Sequence, residues 1–152
     1  MKIPLSVEMV LGGKKPVLYA SVRGSRFFGK IRAIIDTGSP TTLFNKREGL
    51  RFQIRYHGRK PNQKSFLFKF ELNLYGQGNV TFYLKDENNK LVILEKQTIF
   101  FLETVKRTEE ARYFELTIPN IIGEDFISNN QFKLIFDPTN NVAYLEKTEV
   151  IK

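Results

Sequence analysis

The stretch AIIDTGSP, residues 33 to 40, sets one carboxylate between an apolar run and a Gly-Ser-Pro turn. Asp36 follows Ala33, Ile34 and Ile35, so it emerges from what reads as a buried strand, with the hydroxyls of Thr37 and Ser39 and the flexible backbone of Gly38 beside it. Such an aspartate is either a turn-former, since Asp-x-Gly is common turn chemistry, or a reagent. Composition narrows the second possibility. The chain has no cysteine, which excludes thiolate nucleophiles, disulfides and Cys-based zinc sites. Its one histidine, His57, cannot build a multi-histidine metal site, and nothing else in the sequence asks for a metal or a cofactor. Hydrolytic chemistry here would have to use carboxylates or an oxygen-ligated metal. Asp36, Asp125 and the glutamates show no ligand spacing for the latter.

The elements that would position Asp36 are mostly strands. IPLSVEMV, VLYASV, GKIRAIID, FLFKFELNLY, NVTFYL, LVILEKQTIFFLE, FKLIFD and VAYLEK are short and rich in β-branched and aromatic residues. In SFLFKFELNLY, alternation places Phe66, Phe68, Phe70, Leu72 and Leu74 on one face. Turn residues separate these runs at LGGKKP (11 to 16), DENNK (86 to 90) and DPTNN (137 to 141), which predicts hairpins and a mainly antiparallel sheet or barrel. A short helix is expected after Gly123, through EDFISNN, and VKRTEEARYF reads as a second helix or a loop. With 152 residues, no linker and no repeat, the whole of 1–152 reads as one domain. No apolar run is long enough to span a membrane and no secretory signal is evident, so a cytoplasmic protein without a membrane partner is expected.

The net charge of +8 is uneven: residues 1 to 70 hold fifteen Lys or Arg against three acids, and the remainder nine against thirteen. Scattered basic residues are ordinarily solvated charge, and no arginine-rich tract is present, so a nucleic-acid partner is not expected.

Two later segments belong with Asp36. LYGQG spans 74 to 78, 39 residues from Asp36 to Tyr75, and NIIGEDF spans 120 to 126, a further 48 to Gly123. In order and separation, AIIDTGS, ELNLYGQG and NIIGEDF resemble the aspartic proteases, both the single-lobe retropepsin type and the amino-terminal lobe of the pepsin type. The likeness covers roughly residues 16 to 147. It implies an all-β fold, a closed antiparallel β-barrel with one short helix near the C-terminus, and an aspartic endopeptidase that needs no cofactor. It also implies Asp36, Thr37 and Gly38 as the catalytic triplet: Asp36 activates water, Thr37 bonds across to an opposite loop, and Gly38 lets two loops approach. Ser39 would donate to the carboxylate. Tyr75, Gly76, Gln77 and Gly78 would tip a flap over the substrate; YHGRKPNQ (56 to 63) is a rival flap, less well spaced.

This chemistry uses two carboxylates sharing one proton. Of the four aspartates, only Asp36 begins a Thr-Gly turn, so one chain supplies half of the pair. The resemblance therefore implies a homodimer with its site on the twofold axis, acting on a polypeptide. The terminal segments MKIPLSVEM and NNVAYLEKTEVIK have strand character and could interlock between subunits. Pro40 and Glu124 stand where the retroviral enzymes carry an interface ion pair, so any dimer would be braced differently. The alternative is a non-catalytic β-barrel module whose basic amino-terminal half binds an acidic partner or nucleic acid.

Overall fold

The computed structural model describes residues 1–147. Strands β1 (Lys2–Pro4), β2 (Ser6–Val10), β3 (Gly13–Arg23) and β4 (Phe28–Ile35) open the chain. The turn between β2 and β3 is two residues, Leu11 and Gly12, both at positive φ (52° and 80°), the twist that a tight hairpin requires. β4 leads into the loop that begins at Asp36. Then come β5 (Leu43–Phe44), α1 (Lys46–Arg51), β6 (Gln63–Leu67), β7 (Phe70–Lys85) and β8 (Leu91–Thr104). α2 (Glu109–Thr117), β9 (Asn120–Ile122), α3 (Glu124–Asn129), β10 (Phe132–Asp137) and β11 (Val142–Lys147) complete it.

The fold is mostly β. One sheet runs in the order β2-β3-β4-β9-β5-β8-β7-β6, and β7 also pairs back onto β3 through Ser21 to Arg23. The pairing is mainly antiparallel, as expected, with two parallel ladders, β4 with β9 and β5 with β8, that the sequence did not announce. The reason is that β5 and β9, two and three residues long, slip between longer strands and leave too little sequence to signal themselves. Among the described residues there are three helices: α3 after Gly123, as expected, α2 in the stretch read as helix or loop, and α1. α1 went unread, although Asn45 carries the sequence mark of a cap: its Oδ1 accepts from Glu48 N at 2.9 Å.

Apolar residues gather in two clusters. The larger contains Leu18, Ile35, Phe44, Phe82, Phe101 and Phe126. The smaller contains Val17, Ile34, Leu43, Leu72, Leu102, Ile118 and Ile121. Ile34 and Ile35 point into different clusters, so the end of β4 is buried on both faces and its run of consecutive apolar residues is explained.

The terminal strands form a separate sheet, β1-β11-β10, within one chain. Both edges of β11 are taken, by Ile3 opposite Leu145 on one side and by Leu134 opposite Leu145 on the other. The expected exchange between subunits thus finds its central strand already paired, and the part of that segment from 148 to 152 lies outside the described residues.

A buried carboxylate ties α2 to β8. Glu115, 2% exposed, takes both guanidinium nitrogens of Arg107 at 2.9 and 3.0 Å, and accepts from Thr104 N at 2.9 Å. Burial alone would raise its pKa, but these bonds and the nearby Lys46 ammonium outweigh it and hold the carboxyl below its ordinary 4.5. Its stabilising effect is therefore complete above that ordinary value and is lost as pH falls through the lower native one. Glu115→Ala is expected to cost about 2 kcal/mol near neutrality and to flatten the acid limb of a stability-against-pH curve from thermal unfolding.

Candidate active site

The loop from 36 to 42 is fixed at Asp36, Ser39, Pro40 and Thr42 by groups from more than eighty residues later in the chain. Asp36 N donates to Ile122 O at 2.9 Å, which continues the β4–β9 ladder by one residue. Ser39 O accepts from Glu124 N at 2.7 Å and Pro40 O from Asp125 N at 3.3 Å. Those amides are the free donors of the first turn of α3, whose Gly123 cap offers no side chain. The Asp36 loop is thus itself the cap of α3. Thr42 closes the arrangement: its hydroxyl donates to Asp125 Oδ1 at 2.8 Å and accepts from Gly123 N at 3.1 Å, while its own N–H donates to Asp125 Oδ2 at 3.2 Å. Thr42 and Asp125 are positioning residues that sequence reading did not single out for this task; the Asp two residues after Gly123, next to the helix start, was the available signal.

Gly123 is needed for a second reason. A Cβ there would stand 2.3 Å from Thr41 O and 2.7 Å from Ser39 O, both backbone atoms. The loop and the helix start can meet only at glycine.

Asp36 is half-buried, whereas Thr37 and Gly38 are exposed. One carboxylate oxygen, Oδ1, accepts from Gly38 N at 2.9 Å, and Ser39 N donates to Asp36 O at 3.1 Å. Asp36 is therefore a turn-former through one oxygen. Oδ2 has no hydrogen-bond partner among the described residues. Ser39 departs from expectation: its hydroxyl donates to Thr41 O at 2.8 Å instead of to the carboxylate, and the residue is buried. In this arrangement its hydroxyl shapes the loop.

The expected flap is corrected. Tyr75, Gly76 and Gln77 lie inside the long strand β7, in register with Phe101, Phe100 and Ile99 of β8. Gly78 and Asn79 fall at a register shift before Val80. Tyr75 is buried, packed edge-on to Tyr56 at 5.2 Å, and its burial pushes its phenol pKa up. In the order of the sheet, β8, β5 and β9 stand between these residues and β4 on one side, and β3, which β7 meets only at Thr81 to Tyr83, on the other. The rival segment, 56 to 63, is not a hairpin tip either; it lies over β7, with Asn62 Oδ1 accepting from Gly76 N at 2.8 Å. The projecting hairpin is β6–β7, which turns at Phe68 and Lys69 with Phe68 at φ 54°. Its turn contains no Gly or Asn, so the usual signal was missing, and Phe66 and Phe68 are exposed rather than facing a core.

That hairpin shares a neighbourhood with the Asp36 loop. Leu67 and Phe70 pack against the smaller apolar cluster, to which Ile34 and Ile121, each two residues before Asp36 and Gly123, belong. Phe114 of α2 stacks on Phe70 at 4.5 Å, and Lys69 pairs with Glu110. The hairpin, α2 and the strands that lead to Asp36 and Gly123 therefore share one apolar cluster.

No family model matches the sequence, and no curated protein matches it either. Solved structures do match. A retropepsin-like aspartic protease from Rickettsia conorii aligns over 95% of this chain and 98% of its own, with a TM-score of 0.58 and 11% identity. The chain has the retropepsin-like fold. EIAV protease, in complex with the inhibitor HBY-793, aligns over 85% of this chain and 100% of its own, with a TM-score of 0.50 and 15% identity. At such identities the likeness is one of architecture. In this retropepsin-like fold β4, the Asp36 loop and β9–α3 are where the sequence motifs predicted a strand, a turn and an apolar-Gly segment.

Proposed function

We propose that the chain is an aspartic endopeptidase, a single protease unit that acts as a homodimer with one Asp36 from each copy. The observation that carries this reading is the state of Asp36: a carboxylate fixed by Gly38 N on one oxygen, open on the other, on a loop whose neighbours Thr37 and Gly38 are exposed. An open loop surface carrying half of a reagent is what two copies could join into one cleft. The circuit of pairings β3-β4-β9-β5-β8-β7 and back to β3 supports the closed barrel of the single-lobe enzymes.

Two carboxylates brought together hold one proton between them, because close like charges resist double ionisation. The ionised one takes a proton from water as the oxygen attacks the peptide carbonyl. The protonated one donates to the carbonyl oxygen. Collapse of the tetrahedral adduct then breaks the C–N bond while the amine nitrogen takes up a proton from the pair. The β6–β7 hairpin is the element suited to cover a bound peptide.

The test is cleavage of a denatured protein followed across pH and enzyme dilution. Below the dimer dissociation constant, specific activity should fall about tenfold for each tenfold dilution, and a statine-type mimic should inhibit. Constant specific activity from a species shown by light scattering to be monomeric would end this reading.

A further inference from the structure

At the far end of β4 from Asp36, eight residues or about 25 Å along the strand, a cavity of about 380 Å³ opens between the β3–β4 turn and the connection from α1 to β6. Arg26, Arg55 and Arg59 line it, together with the amides of Gln53 and Gln77, and no carboxylate does. Arg26 and Arg55 are exposed and form no ion pair among the described residues. Arg59 is held in place: its Nη2 donates to Gly76 O at 2.7 Å and its guanidinium lies 5.7 Å from the Tyr75 ring centre. Three cations around one cavity repel each other, and an anion relieves that repulsion.

Gln53 brings an amide to the same wall from the end of α1. α1 ends with Gln53 N donating to Leu50 O and Ile54 N to Gly49 O, at 3.1 and 2.8 Å, a termination that places Gln53 at φ 59°. Glycine is the usual residue there, and a longer side chain costs about 1 kcal/mol. Gln131 ends α3 in the same way, at φ 57°, so the conformation belongs to the helix end, and at Gln53 it sets an amide at the cavity. Of the aromatic residues of the wall, Phe52 is buried and Phe27 half-buried; they stack on each other at 4.8 Å and meet Phe101 edge-on, so one ring face of each is already used and a nucleotide base is the less favoured occupant.

We infer that this cavity binds a carboxylate-rich polypeptide segment, with the arginine forks taking its side-chain carboxylates and Gln53 and Gln77 its backbone amides. Lying at the opposite end of β4, the site is distinct from the Asp36 loop, and binding to it is read without any cleavage. A failed result therefore leaves the protease reading untouched, and Asp36→Asn should bind as the wild type does. The experiment is fluorescence anisotropy of a labelled oligoglutamate peptide with the full chain at low salt. Arg26→Gln/Arg55→Gln should weaken binding about tenfold or more, whereas Lys60→Gln/Lys64→Gln, which removes equal charge outside the cavity, should change it less than about twofold. An oligothymidylate of equal charge should bind no more tightly than the peptide. Absent binding by the wild type, equal weakening by both double variants, or tighter binding of the oligothymidylate would each overturn the assignment.

Discussion

Asp36→Asn is expected to abolish peptide cleavage, a loss of at least about 10³-fold, while leaving the fold intact. The size follows from symmetry. In a homodimer one substitution removes both carboxylates, so neither a base to take the water proton nor an acid to protonate the carbonyl remains. The fold should survive because the amide oxygen of asparagine can still accept from Gly38 N, the one side-chain bond that Asp36 makes in the structure. Stability should stay within about 0.5 kcal/mol. A fluorogenic peptide assay read beside thermal unfolding separates the two effects. Full activity in the variant would remove Asp36 from the chemistry and favour the non-catalytic module.

Gly123→Ala should have the largest effect of any single methyl group. Its new carbon would meet Thr41 O at 2.3 Å, Thr41 C at 2.5 Å and Ser39 O at 2.7 Å. All three are backbone atoms of the loop that carries Asp36, and none can swing aside as a side-chain end would. The loop must lift from α3, which breaks the bonds from Glu124 N and Asp125 N to the Ser39 and Pro40 carbonyls. The expected cost is about 3 kcal/mol of stability, with about 10²-fold or more of activity lost through displacement of the carboxylate. Gly78→Ala is the control. Nothing lies within 4 Å of its Cβ, so stability should move by less than about 0.5 kcal/mol. Thermal unfolding of the two variants side by side decides the matter, and a tolerated Gly123→Ala would show that the loop is not clamped as described.

How much of this was legible in the sequence depends on whether the deciding contacts were local. The turns at 86 to 90 and 137 to 141 were readable because Asp86 and Asp137 accept from backbone amides two to four residues ahead. The strand entering Asp36 and the helix after Gly123 were readable for the same kind of reason, through an apolar run and a glycine followed by acids. Tyr75 was misplaced because a Tyr-Gly-x-Gly segment suits a turn as well as it suits an irregular stretch of a long strand. What decides between them is the pairing with β8, more than twenty residues away. Phe66 and Phe68 were assigned to a buried face because alternation continues straight through them. The chain instead turns at Phe68, without the glycine or asparagine that would have announced it. Ser39 could not be resolved by type alone, since its hydroxyl had two acceptors within reach and the loop geometry chose Thr41 O.

The dependence of the Asp36 loop on α3 also sets a schedule for synthesis. Apart from Phe100 N on Thr42 O, the bonds that shape the Asp36 loop from outside come from residues 122 to 125, so a chain still growing on the ribosome has its aspartate long before it has the scaffold for it. Contacts of such sequence separation are slow to close. Until residues 122 to 125 emerge, the loop lacks its clamp; on the proposed protease reading, topology alone would then keep the nascent product from premature digestion of its translation partners.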